Sequence, residues 1–199
     1  MKKHALTALA IAAASLVSTQ AFAQAKEGPW LVRARAVSLT SDNKDSTNLG
    51  LSVNDIVLPE VDFSYFFSPN LAAELILTVP QEHDVRLKGT KIGTLSQLPP
   101  TLLLQYHFNL NGYKPYVGAG VNFTKFTAND ILGGAVTTDS SSWGGAVQVG
   151  VDVPLSGNMY FNFDVKKVMI GTNINAGGNS LGSLRVDPLL VGVGLGWRF

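Results

Sequence analysis

The chain has 199 residues, 15 of them basic and 14 acidic, and its formal charge of +1 lacks the basic footprint of a nucleic-acid binder. It contains no cysteine, which excludes a disulfide framework, thiol chemistry and a cysteine-ligated metal site. The length suits one domain, and abundant glycine with scarce helix signals points to β-structure.

At the N-terminus, Lys2, Lys3 and His4 precede an apolar run from Ala5 to Val17, and Ala21-Phe22-Ala23 places small residues where a signal peptidase reads. This predicts a secretory signal peptide over 1–23 and a single mature domain over 24–199 beginning at Gln24. The alternative, a membrane anchor, needs ~20 apolar residues, and neither this run nor any later stretch reaches that length.

Eight segments of period-2 alternation follow: Trp30–Thr40, Ile56–Phe67, Leu71–Asp84, Thr94–Phe108, Pro115–Thr127, Ser142–Leu155, Asn158–Gly171 and Leu184–Phe199. Short turns (68–70, 109–114, 156–158) alternate with longer polar links (41–55, 85–93, 128–141, 172–183), the pattern of an up-and-down antiparallel sheet with one trimmed end. A soluble eight-stranded barrel shares this count, so the side-chain pattern has to decide. In the second segment Val61, Phe63, Tyr65 and Phe67 oppose Glu60, Asp62, Ser64 and Phe66. In the sixth, Val147, Val149, Val151 and Val153 oppose Gln148, Gly150 and Asp152, and in the seventh Phe161, Phe163 and Val165 oppose Asn162, Asp164 and Lys166. Bulky apolar rows opposite charges, on strands of about ten residues, suit a wall whose outside meets lipid. Trp30, Tyr65, Phe66, Phe67, Tyr106, Phe108, Tyr113, Tyr116, Tyr160, Phe161, Trp197 and Phe199 gather toward the short-turn end, as a membrane girdle requires. The predicted fold is all-β: an eight-stranded antiparallel up-and-down transmembrane barrel of the bacterial outer membrane, with short periplasmic turns and longer extracellular loops.

Parity assigns the interior. Toward the periplasm the inward positions are Arg33, Arg35, Glu60, Asp62, Glu74, Gln105, His107, Asp152, Asp164, Lys166 and Arg198, nearly balanced in charge. They read as a polar plug, in preference to an ion-conducting file, because eight strands leave a lumen that side chains fill. Toward the outside the inward positions become apolar: Val37, Leu39, Ile56, Leu58, Ile76, Leu95, Phe126, Val168, Ile170 and Val186. That lining suits a small hydrophobic ligand, with simple packing as the alternative. Pro99 and Pro100, which donate no ladder hydrogen bonds, mark a seam in the wall or a kink, and Pro80 and Pro188 weaken the same half.

No GxSxG elbow is present and no set of three converging metal ligands can be assembled, so neither enzyme nor cofactor is expected. His83, flanked by Glu82 and Asp84, reads as a solvated turn, and His107 as part of the plug. Gly192, Gly194 and Gly196 precede no helix and make no dinucleotide fingerprint.

The stretches LPPTLLLQYHF (98–108), KPYVGAGVNFT (114–124), SWGGAVQVGVDVPL (142–155) and DPLLVGVGLGWRF (187–199), with GPWLVRARA and PEVDFSYFFSPNLAAEL, resemble the OmpW family of outer-membrane proteins along the whole mature chain. The resemblance implies a barrel with a hydrophobic lumen that passes small apolar compounds, and in some members a bacteriocin receptor. The link at 128–141 is short for the family, which weakens any loop-dependent role. The last strand is similar to the assembly signal of such barrels at Gly194, Trp197 and Phe199, with Gly192 where a polar residue is usual. The expected partners are outer-membrane lipids, a small hydrophobic ligand and the barrel-assembly machinery, and the expected state is a monomer. Two readings stand: passive uptake through the apolar lumen with lateral exit near Pro99-Pro100, or a structural barrel, receptor or envelope-stress protein with an inert lumen.

Overall fold

A computed structural model describes residues 28–199, apart from the side chains of residues 128–130. The expected signal peptide lies outside the described residues. In chain order the strands are β1 (Trp30–Thr40), β2 (Lys44–Asp45), β3 (Leu51–Val53), β4 (Ile56–Phe66), β5 (Leu71–Thr78), β6 (Gln81–Leu87), β7 (Thr90–Leu98), β8 (Thr101–His107), β9 (Lys114–Ile131), β10 (Val136–Thr138), β11 (Ser141–Ser156), β12 (Met159–Val168), β13 (Gly171–Ala176), β14 (Asn179–Arg185) and β15 (Leu189–Arg198).

Eight of these close a wall in the order β1-β4-β5-β8-β9-β11-β12-β15, each antiparallel to its neighbour, with β15 returning to β1. Closure satisfies the backbone inside the membrane and leaves no free edge there. Side chains alternate as the pleat dictates: Val61, Phe63 and Tyr65 are exposed on the outside of β4, whereas Glu60, Asp62 and Ser64 are buried inside.

A second tier stands on the wall at the long-loop end, in the order β3-β6-β7-β9-β10-β13-β14-β2, and β9 runs unbroken through both tiers. The third, fourth, seventh and eighth predicted segments are therefore each two strands, broken at 79–80, 99–100, 169–170 and 186–188. Proline stands at three of these breaks, where a missing N–H ends the ladder. The predicted links 85–93 and 172–183 are largely hairpins. Lys88-Gly89 and Gly177-Gly178 turn them with positive φ at both central residues, the geometry that matches strand twist.

Candidate functional site

The barrel interior divides into a charged floor and an apolar upper lumen. The floor is built by register: β1 sets Arg33 opposite Asp62 and Arg35 opposite Glu60 on β4. Arg33 forks onto Asp152, with Nε donating to Oδ1 (3.0 Å) and Nη2 to Oδ2 (2.7 Å), while Nη1 donates to Asp62 (3.0 Å), Ser64 (3.1 Å) and Glu74 (3.3 Å). Arg35 meets Glu60 Oε1 through Nε at 2.9 Å and Asp62 Oδ2 through Nη2 at 2.5 Å, both ion pairs without hydrogen-bond alignment. Lys166 joins Glu60 (2.8 Å) to Asp164 (2.5 Å). All of these side chains are buried.

Neutral groups complete the network. Tyr116 OH donates to Asp164 (3.0 Å) and accepts from Asn162 (3.0 Å), which also donates to Asp152 (2.9 Å). Gln148 donates to Asp164 (2.7 Å) and accepts from Gln105 (2.8 Å), whose Oε1 lies 3.0 Å from His107 Nε2. Below them the rings of Phe66, His107 and Tyr116 stack with centroids 4.8 and 4.9 Å apart, and the Arg198 guanidinium lies 3.5 Å over Phe66. All eleven residues assigned to the plug thus face inward and are buried. Ser64, Tyr116, Gln148 and Asn162 join them, and inward parity is the signal that marks all four. Tyr116, Phe66 and Tyr160, expected in the aromatic girdle, are buried inside instead.

Above the floor, the ten apolar positions read from parity belong to one cluster: nine are buried, and Ile56 is half-buried against it. β3 and β13 add Leu51, Val53 and Ile174, which fall in the predicted links 41–55 and 172–183, and β14 adds Leu184 from the start of the eighth predicted segment. Between floor and cluster is a cavity of about 20 Å³, walled by Leu39, Ile76, Val168 and Ile170, floored by Glu60, Lys166, Thr101 and Asn122, and touching Pro99 and Pro188. It has room for one water molecule. The Pro99-Pro100 stretch is held from inside, since Asn122 Nδ2 donates to both proline carbonyls (3.1 and 3.2 Å).

His83 is not solvated: it is 1 % exposed, pointing inward from β6. Its Nδ1 lies 3.1 Å from the Asn54 carbonyl and its Nε2 3.1 Å from Gln97 Nε2. A carbonyl only accepts, so Nδ1 carries the proton and Nε2 accepts from the Gln97 amide. Protonating Nε2 would set two donors against each other. Burial lowers the His83 pKa below the ordinary 6.5, with the Asn54 carbonyl and Asp55 opposing in part. The unfolded chain takes up this proton near 6.5 and the folded one only at lower pH, so stability falls as pH drops through that value. Unfolding midpoints in urea between pH 7.5 and 5.5 should therefore decline less for His83→Gln than for the parent; equal slopes would show that His83 does not carry the effect.

Comparison with known proteins agrees with this architecture. A model of the OmpW family matches residues 24–199. The uncharacterized outer-membrane protein y4mB of Sinorhizobium fredii is 38 % identical over 94 % of this chain and 90 % of its own length. Outer membrane protein W of Escherichia coli is 32 % identical over the full length of both chains. Among solved structures, OprG from Pseudomonas aeruginosa superposes with a TM-score of 0.74 at 27 % identity, covering 87 % of this chain and 97 % of that one.

Proposed function

The chain belongs to the OmpW family and is a protein of the bacterial outer membrane, and on that premise we propose that it takes up small hydrophobic molecules passively through its upper lumen. The observation that supports this reading is the large apolar cluster at the long-loop end, directly above a floor sealed by ion pairs. A water-filled pore needs a polar interior, whereas an apolar molecule leaves water favourably for such a lining. The floor blocks straight passage to the periplasm, so the molecule leaves sideways into the membrane; the Pro99-Pro100 stretch is the exit that the proline pattern suggests. No step is chemical, so the protein acts as a conduit and not as an enzyme.

The small volume of the cavity favours a second reading, a packed and inert lumen in a barrel whose loops meet partners. Side chain size at Ile76, which is buried in the cluster and lines the cavity, separates the two. In cells whose outer membrane carries the protein, entry of the apolar dye N-phenyl-1-naphthylamine should rise with Ile76→Ala and fall with Ile76→Trp, about threefold or more each way. Entry equal to that of cells lacking the protein, for parent and variants alike, would leave the inert barrel standing.

A further inference from the structure

The outer face of the wall carries a polar groove that the uptake reading does not use. It forms where β13, beyond the Met169 N–H bond to Gly145 O (2.9 Å), turns away from β11 to pair with β14 and β10. The groove measures about 480 Å³ and is lined in part by Gly144, Gly145 and Gly171, which put no side chain into it. That volume falls within the roughly 300–1,000 Å³ of small-molecule sites. The remaining lining is polar, with Asp139, Ser141, Thr172, Asn173 and Arg185 set around one aromatic plate, Trp143.

These groups match the parts of a phosphorylated sugar. Trp143 is 73 % exposed and its ring stacks on Phe123 at 4.9 Å, so it offers a fixed flat surface to the apolar C–H face of a sugar ring. The Asp139 carboxylate is held in place by Asn173 (2.7 Å) and Asn175 (3.3 Å). A carboxylate has about four lone-pair sites, so two donors leave room to accept from sugar hydroxyls. Arg185 is tied through Nε to Asp187 (3.0 Å), and its side chain is 54 % exposed whereas that of Asp187 is 5 % exposed. Among the described residues no acceptor takes its two terminal nitrogens, which are spaced to grip two phosphate oxygens. Lys125, exposed on β9 opposite Ser141, adds a second cation beside the groove.

The surroundings point to a lipid as the carrier of that sugar. Toward the periplasm the outward row of β11 continues as Val147 and Val149, flanked by Val117 and Val121 of β9, all exposed to acyl chains. Trp143 ends this row, where amphipathic rings mark the boundary with the headgroups. An amphiphile lying along β11 therefore rests its chains on the valines and its head at the groove. A plain phospholipid phosphate calls only for cations. It would leave Trp143, Asp139 and Asn173 unused.

We propose that the groove between β11 and β13 binds the phosphorylated sugar headgroup of the outer-leaflet glycolipid, lipopolysaccharide. The sugar ring lies on Trp143, its hydroxyls donate to Asp139 and to Asn173 Oδ1, and its phosphate meets Arg185 and Lys125. The inference needs only the outer-membrane location and stands apart from the uptake reading.

Titration of the purified barrel in nonionic detergent with deep-rough lipopolysaccharide, read by microscale thermophoresis, tests it. A saturable isotherm with one glycolipid per barrel is expected. Trp143→Ala, Arg185→Gln and Gly145→Leu should each weaken binding about five- to tenfold while the barrel stays heat-modifiable. Gly145→Leu fills the groove where a new Cβ lies 3.4 Å from the flexible Met169 sulfur. Lys88→Gln, at the exposed tip of the β6–β7 hairpin, should leave binding unchanged. Dephosphorylated glycolipid should bind at least fivefold more weakly, and phosphatidylglycerol should not compete. Competition by phosphatidylglycerol as strong as that by the glycolipid would reduce the effect to general attraction of anionic lipid and overturn the assignment. Equal competition by free glucosamine 1-phosphate would make the occupant a soluble sugar phosphate and overturn the lipid. Parent-like binding by Trp143→Ala, whose exposed ring is dispensable for folding, together with whichever other variant folds, would overturn the site itself.

Discussion

Arg33→Leu is expected to cost the folded barrel about 3–5 kcal/mol, because it strands the buried Asp152 carboxylate without the cation that forks onto it. Arg33 is fully buried and is shared among Asp152, Asp62 and Glu74. A buried ion pair as a whole returns little net stability, since desolvation offsets most of the attraction, but removing one partner leaves the desolvation cost uncompensated. Asp152 loses the guanidinium it forks with, while Asp62 and Glu74 keep only their contacts with Arg35. Arg33→Lys keeps the charge but cannot fork onto Asp152, so it should recover only part of the stability. Urea unfolding of the purified protein in lipid vesicles, followed by loss of heat-modifiability on gels, gives both values. A cost below about 1 kcal/mol for Arg33→Leu would mean that water reaches the floor and screens it, as at an exposed pair.

The same floor shows why so much of the interior was legible. In a barrel of this size each inward position on one strand faces its register partners, so period-2 parity alone selects Arg33, Asp62, Asp152 and Asp164 together. What parity does not show is height. Tyr116 and Tyr160 were placed in the girdle because they lie near a turn, yet their parity is inward and both are buried. His83 misled differently: Glu82 and Asp84 suggested a solvated turn, but on β6 alternation sends only the histidine inward. The second tier was hidden because its strands are short and polar, and their hairpins resemble loops in composition. The parting of β13 from β11 was beyond the sequence altogether, since nothing in the run Met169-Ile170-Gly171 marks which strand will turn away.

The closing strand carries the second large effect. Gly194→Val should prevent barrel closure or destabilise it by more than about 3 kcal/mol, because overpacking against backbone has no flexible atom to move. β15 sets Gly194 opposite Arg35 of β1, and a Cβ there would strike the Ala34 carbonyl and lie 2.8 Å from Arg35 Cα. At Gly192, on the same face, a Cβ would come closest to side-chain atoms, the Val37 methyl at 3.3 Å and Arg35 Cδ at 3.4 Å, so Gly192→Ala should cost no more than about 1 kcal/mol. We also propose that Gly194, Trp197 and Phe199 form a signal read by the assembly machinery, and refolding separates that role from the steric one. Pure lipid vesicles contain no machinery: Gly194→Val should fail to refold in them as it fails in cells. Among the described residues, deletion of Phe199 removes the end pair of backbone bonds, Trp30 N–H to Phe199 O (3.1 Å) and Phe199 N–H to Trp30 O (2.7 Å). That variant should refold in vesicles with near-parent yield and be lost in cells. Equal failure of both variants in vesicles would assign the terminal residues to closure alone, while normal levels of the Phe199 deletion in cells would remove the signal reading.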